Sequence, residues 1–200
     1  HLVNDSFDMA CFPIKRGLLY DFDIKSSVEL IKETIIDARR YMDYMQAKGY
    51  NDFGVIGISY GGIPAVLLAA VDSSRVKGKV FAFTGGNLGK ILSTTPLPHI
   101  EYFRNEYLKE NHMTIEELIK QIDSLSYCVE PLNYAHKINP KNTRFIDGLY
   151  DEIIPKESTK QLYEALGKPD CTHVRSKHLN FIYIPYVLDK SKETFEQTFF

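Results

Sequence analysis

No basic run long enough to follow a phosphate backbone occurs in this chain. Its 24 lysines and arginines are balanced by 26 aspartates and glutamates, giving a formal net charge of −2. That balance argues against nucleic acid as a partner. Long apolar runs are missing as well. The segment 63–71 is among the longest and falls far short of the roughly 20 residues that a bilayer-spanning helix requires. Residues 1–20 show no basic start followed by an apolar stretch, the pattern of a secretory signal. Cysteine is scarce: Cys11, Cys128 and Cys171 are odd in number and widely spaced. That arrangement suits neither a disulfide framework nor a metal cluster. Free thiols in a reducing compartment are the expectation, and a cytoplasmic location goes with it. None of the six histidines pairs with another at metal-ligand spacing beside carboxylates, so no metal is implied. A G-x-G-x-x-G loop is also absent, which sets aside a dinucleotide site.

What is present is an ordinary globular composition, 44% hydrophobic and 25% charged over 200 residues, which suits one domain with a real core. Short apolar segments alternate with longer amphipathic ones, the rhythm of a parallel sheet covered by helices. The spacing predicts strands over 7–14, 53–58, 76–84, 143–149 and 171–176. A helix over 26–48 opens with Ser26 and Glu29 as a capping box and closes at Gly49. Its apolar positions Val28, Ile31, Ile35, Ala38, Met42 and Met45 form one stripe. A small-residue helix follows over 61–71, with Pro64 in the first turn, where no intrahelical donor is lost. The rhythm breaks over 87–142, where two amphipathic helices, 99–110 and 114–125, suggest an inserted helical cap. The second opens with a capping box, Thr114 and Glu117. A helix over 155–166 and a helical tail from Leu179, broken at Pro185, complete the pattern.

The motif that carries chemistry is Gly57-Ile58-Ser59-Tyr60-Gly61, between an apolar strand and a small-residue helix. A serine hydroxyl acts as a nucleophile only where it projects free of its surroundings and meets a base. A tight strand-to-helix turn does this, and flanking glycines relieve the crowding it creates. The helix that follows aims its N-terminus at the site, and the Tyr60 backbone N–H is a candidate oxyanion donor.

The order strand, G-x-S-x-G, helix, strand, helical insertion, strand, acid, strand, histidine resembles the α/β-hydrolase superfamily, most of all its esterase and peptidase-like branches. The resemblance runs from about Phe7 to the end of the chain. It implies a mostly parallel sheet with helices on both faces, a small cap over about 87–142, one domain over 1–200 and no cofactor. It also implies an acid in Gly148-Leu149-Tyr150-Asp151-Glu152-Ile153-Ile154-Pro155. Asp151 matches the position, with Asp147 and Glu152 as alternatives. The base is expected after the last strand, where His178 fits and His173 is the alternative. His99, His112 and His136 fall in the cap, where a solvated or structural role is expected, and His1 stands at the edge of the chain.

The resemblance thus implies a carboxylic-ester or related acyl hydrolase with Ser59, Asp151 and His178 in the catalytic roles and a small acyl compound as substrate. Thioesterase, peptidase and acyltransferase chemistry stay open, and the alternative is a non-catalytic binding module of the same fold. Tyr102, Phe103, Tyr107 and Leu108 are candidates to line an acyl pocket, with Gly85-Gly86-Asn87 at its border. The family's second oxyanion donor comes from a loop after an early strand, often with His-Gly. No such loop precedes 7–14, so further N-terminal strands are expected to belong before this chain.

Overall fold

The computed structural model describes residues 22–178 and 183–200. The strand expected over 7–14, together with His1, Cys11 and Leu179, lies outside the described residues. Four strands form one parallel sheet in the order β1 (Phe53–Ile58), β2 (Val76–Ala82), β3 (Thr143–Gly148), β4 (Asp170–Val174). Around it, among the described residues, stand seven helices: α1 (Ile24–Gln46), α2 (Gly62–Val71), α3 (Leu88–Thr94), α4 (Pro98–Glu110), α5 (Ile115–Ser126), α6 (Lys156–Ala165) and α7 (Ile184–Phe199).

Alternation along β2 and β3 sorts their side chains to two covered faces. Phe81 and Phe145 pack with Ala65, Val66 and Ala69 of α2 and Leu162 of α6. Val80, Ala82 and Ile146 face the other way, against Val187 of α7. Strands that follow one another in the sheet with right-handed crossovers put α2 and α6 on the same face, leaving the opposite face to α7. There the Phe195 ring lies against the strand backbone, so close that a Cβ at Gly54 or Gly78 would come within 2.8 or 2.7 Å of it. The run of β1 is less enclosed than its apolar sequence predicts: only Gly57 is fully buried. Among the described residues β1 is the edge of the sheet.

Helix α1 packs its stripe on α2 as its spacing predicts, with Val28, Ile31, Ala38, Met42 and Met45 buried. Its start differs from the expectation. Asp23 is the N-cap, accepting from the Ser26 N–H at 3.1 Å and from the Ser26 hydroxyl at 2.5 Å. Asp prevails over Ser because its carboxylate takes both donors and bears negative charge at the positive end of the helix. Pro185 likewise opens α7 rather than breaking it, since proline loses no hydrogen bond in the first turn.

Between β2 and β3 the structure holds three helices, not two. The unforeseen α3 begins at Asn87, which sits in the left-handed region at φ 64° and caps Lys90 with its side chain. The Glu130 carboxylate takes the Asn87 and Leu88 N–H groups at 2.9 and 2.8 Å. Helices α4 and α5 follow, the latter with the Thr114–Glu117 capping box as predicted, and then a series of single 3-10 turns leads to β3.

An ion cluster ties the far ends of α1 and α2 to the start of β2. Arg75 donates to Asp72 Oδ1 at 2.8 Å, to Asp43 Oδ1 at 2.6 Å and to Gln46 Oε1 at 2.8 Å, and makes a second contact with Asp72 Oδ2. Arg39 donates to Asp72 Oδ2 at 2.9 Å. Arg75, then Arg39, hold the buried Asp72 carboxyl below its ordinary value of 3.8 against the opposing effect of burial. A carboxylate with a depressed pKa adds stability that is full above the unfolded-state pKa and is lost as pH falls through the folded one. Asp72→Asn is expected to cost about 2 kcal/mol at pH 7, between the values for exposed and buried pairs. The gap from wild type should close below pH 3.8, as urea unfolding at several pH values would show.

Candidate active site

The chain passes from β1 into α2 through a single 3-10 turn, Ser59–Gly61. Ser59 enters it in the left-handed region, φ 54°, a conformation that costs a non-glycine residue of order 1–3 kcal/mol and persists only where its surroundings impose it. The glycines beside it have unequal tasks. A Cβ on Gly57 would stand 2.5 Å from Ala65 Cβ and 2.8 Å from the Gly61 carbonyl oxygen. One on Gly62 would overlap the Thr84 side chain. One on Gly61 would meet nothing within 4 Å. The crowding expected at both glycines of the motif therefore falls on Gly57 and on Gly62, one residue beyond it. Gly61 itself has ordinary helical angles, φ −63° and ψ −15°.

Asp151 and His178 stand on loops after β3 and β4. Two backbone bonds bind these loops together, Leu149 N–H to the Val174 carbonyl at 2.9 Å and Tyr150 N–H to the Ser176 carbonyl at 3.0 Å. His178 Nε2 lies 2.7 Å from Ser59 Oγ, and His178 Nδ1 lies 2.7 Å from Asp151 Oδ2. The other Asp151 oxygen accepts from the Ile153 and Ile154 N–H groups at 2.9 and 3.0 Å. An ionised carboxylate only accepts, so Nδ1 carries the ring proton and Nε2 is left to accept from the serine hydroxyl. The side chains of His178 and Asp151 are 13% and 3% exposed, so water competes little for these bonds. The Phe83 ring stands edge-on to the imidazole, 6.4 Å between centroids at 76°.

The alternatives have other partners. Asp147 faces His173, Oδ2 to Nδ1 at 3.4 Å, on neighbouring strands, and Glu152 faces Lys177 at 3.5 Å. Burial raises the Asp147 carboxyl above its ordinary value, with His173 opposing. His99, His112 and His136 are exposed on the segment between β2 and β3. Of the thiols, Cys128 is exposed, and Cys171 is half-buried with its pKa pushed up to about 11, chiefly by burial, which makes it a poor nucleophile. Among the described residues no three His, Cys, Asp or Glu side chains converge to hold a metal, and no helix is long and apolar enough to cross a membrane.

Beside Ser59 lies an apolar cavity of ≈ 80 Å³, walled by Ile24, Val28 and Ile31 of α1 and Leu88, Ile91 and Leu92 of α3. Of the expected border residues Gly85 is in the wall and Gly86 and Asn87 are not, and Ser27, Tyr60, Thr84, Thr95 and Ser126 are its hydroxyl-bearing residues besides Ser59. Tyr102, Phe103, Tyr107 and Leu108 are not in its wall. Tyr102 is 60% exposed, while the other three pack on the outside of the core, where Tyr107 meets Phe22 and donates to Gln121. Burial pushes the Tyr60 phenol up to about 12, with the Ser27 hydroxyl opposing, so it remains a neutral, protonated group at physiological pH. The signal for the true wall was the i, i+3, i+4 spacing of Leu88, Ile91 and Leu92 directly after Asn87, a helix-capping residue type.

The unequal crowding can be measured. Gly57→Ala and Gly62→Ala are expected to lose about 1–3 kcal/mol, the ordinary cost of overpacking. Gly61→Ala should fold with stability within about 0.5 kcal/mol of wild type, all three read by denaturant unfolding.

No family model and no curated protein matches this sequence. Solved structures do. A hydrolase from Pseudomonas aeruginosa shares 15% identity at a TM-score of 0.53, with 82% of this chain and 71% of that one covered. An esterase from Pyrococcus furiosus shares 17% at 0.57, covering 82% and 60%. An enol-lactonase from Burkholderia xenovorans shares 14% at 0.51, covering 83% and 72%. The chain thus spans 60 to 72% of the length of these three proteins. At this identity the likeness is one of backbone, and with the parallel sheet flanked by helices on both faces it shows that the chain has the α/β-hydrolase fold.

Proposed function

We propose that this protein is a serine hydrolase that cleaves a carboxylic ester, or a related acyl bond, through an acyl-enzyme on Ser59. The observation that carries the reading is the unbroken relay from Ser59 through His178 to Asp151, with 2.7 Å at each link. The names of the fold neighbours, hydrolase, esterase and enol-lactonase, lean the same way.

In this reading Ser59 Oγ attacks the carbonyl carbon while His178 Nε2 takes the hydroxyl proton. Asp151 holds the imidazole in the required tautomer and stabilises its cation. The Tyr60 N–H, second in the turn that opens α2, has no acceptor in its own turn and donates to the oxyanion, where such a bond is worth roughly a hundredfold or more in rate. His178 then returns the proton to the departing alcohol, and an acyl-enzyme remains. Water, deprotonated by the same nitrogen, attacks the acyl carbon and releases the acid with Ser59 restored. No cofactor enters these steps.

With p-nitrophenyl esters as substrates, Ser59→Ala should abolish the acyl adduct seen by intact-protein mass spectrometry and reduce turnover to background. Asp151→Asn, which reverses the tautomer, should lower kcat by about 10⁴-fold. Turnover undiminished in Ser59→Ala would rule the reading out, and a wild-type protein that forms no adduct and turns over no ester would favour a binding role for the fold.

A further inference from the structure

Resting on the hydrolase reading, the construction of the wall beside Ser59 gives a task to two charged residues outside the relay. The acyl group stays bonded to Ser59 until water releases it. Ser59 stands in the wall of the apolar cavity, so that cavity is the nearest space for an acyl chain. Leu88, Ile91 and Leu92 of α3 form one part of the wall, and Ser126 and Val129 form another. No charged side chain among the described residues lines it.

Helix α3 cannot hold this wall unaided. It has seven residues, fewer than a helix needs to be stable alone. An ionised side chain fastens each of its ends. At the start, Glu130 Oε1 accepts from the Asn87 N–H at 2.9 Å and from the Leu132 N–H at 3.1 Å, while Oε2 accepts from the Leu88 N–H at 2.8 Å. One carboxylate thus joins the opening of α3 to the turn that follows Val129, and so joins two parts of the wall. The fit there is close. A Cβ on Gly86 would come within 2.5 Å of Leu132 Cγ and 3.1 Å of Glu130 Oε1. At the other end, buried Arg104 of α4 donates to the Leu92 and Thr95 carbonyls at 3.1 and 3.0 Å. Negative charge at the helix start and positive charge at its end are what the helix dipole favours. Among the described residues Glu130 and Arg104 make their hydrogen bonds to backbone groups alone.

We propose that Glu130 and Arg104 are positioning residues that clamp α3 at its two ends and so set the acyl-chain selectivity of the site. Neither residue is in the cavity wall. They act by fixing where Leu88, Ile91 and Leu92 stand beside Ser59. A longer apolar chain buries more surface on that wall than an acetyl group does, so its reaction depends more on the clamp.

The test compares p-nitrophenyl butyrate with p-nitrophenyl acetate in wild type, Glu130→Ala, Glu130→Gln and Arg104→Lys. Wild type should favour butyrate in kcat/KM by about tenfold, the worth of two buried methylene groups. Glu130→Ala should bring the ratio near one, chiefly through a higher KM for butyrate, because binding is lost from ground state and transition state alike. Glu130→Gln, which keeps one carbonyl oxygen, should fall between. Arg104→Lys keeps the charge but not the guanidinium fork and should lower the ratio as well. Amide hydrogen exchange over 87–94 should quicken by about tenfold or more in Glu130→Ala, the worth of the lost hydrogen bonds, while 62–71 keeps wild-type protection. Equal loss of both activities would mark a merely structural role and overturn the proposal. So would equal rates on the two esters in wild type, or wild-type exchange over 87–94 in Glu130→Ala. Thermal shift of Ser59→Ala with butyramide and acetamide reads the wall without catalysis. A preference for butyramide, lost on adding Glu130→Ala, with no ester turned over by wild type, would keep the clamp while the hydrolase reading failed. Ester turnover with a chain preference untouched by Glu130→Ala would do the reverse.

Discussion

The turn from β1 into α2 is the constraint on which the rest depends. Ser59 occupies a backbone region that side chains avoid, and α2 presses so closely on β1 and β2 that no Cβ fits at Gly57 or Gly62. The two facts are one. A helix drawn this near the strand it follows leaves only a three-residue turn for the reversal. The residue at its apex is thrust outward because its backbone has no other way to turn. The packing of Ala65, Val66 and Ala69 against Phe81 and Phe145 supplies the burial that offsets the strain. Small residues on α2 are thus part of how the hydroxyl is presented.

Parallel topology does the remaining assembly. Ser59, Asp151 and His178 follow β1, β3 and β4, and in a parallel sheet the ends of all strands lie along one edge, where loops from distant parts of the chain meet. The backbone bonds that join the loops after β3 and β4 bring Asp151 under His178, and the two N–H groups on Asp151 Oδ1 leave Oδ2 to face the ring. Helix α3 enters from the other side and closes the apolar cavity over Ser59. Its own start depends on Glu130, at the beginning of the 3-10 series. The segment between β2 and β3 therefore shapes the site through its first helix and is held by its last turns.

Legibility in the sequence followed the range of the forces. The Ser59 motif could be read because its steric demand is local, and the strands because short apolar segments alternate with longer amphipathic ones. The Thr114 cap was visible for the same reason, its donors and acceptors being three residues apart. What escaped was fixed from afar. Helix α3 is seven residues long; Asn87 caps it locally, but the carboxylate that takes its first N–H groups lies 43 positions away, a partner that no window of sequence contains. Tyr102, Phe103 and Tyr107 form a plausible apolar face, yet which side of a helix meets a pocket is settled by its neighbours, here Phe22 and α5. Asp23 and Ser26 are both capping residues, and the choice between them turned on which could accept two donors at once. Among the three acids near β3, Asp151 stood first by its place in the family pattern, and only the folded chain shows His173 and Lys177 facing the other two.

The proposed function requires that His178 and Asp151 make the Ser59 hydroxyl a nucleophile. Labelling with a fluorophosphonate, followed by peptide mapping, reads that property whatever the natural substrate is. The expected result is a single adduct on Ser59 that is lost in Ser59→Ala and strongly slowed in His178→Ala. No adduct on the folded protein, or an adduct on Ser59 formed at the same rate without His178, would contradict it.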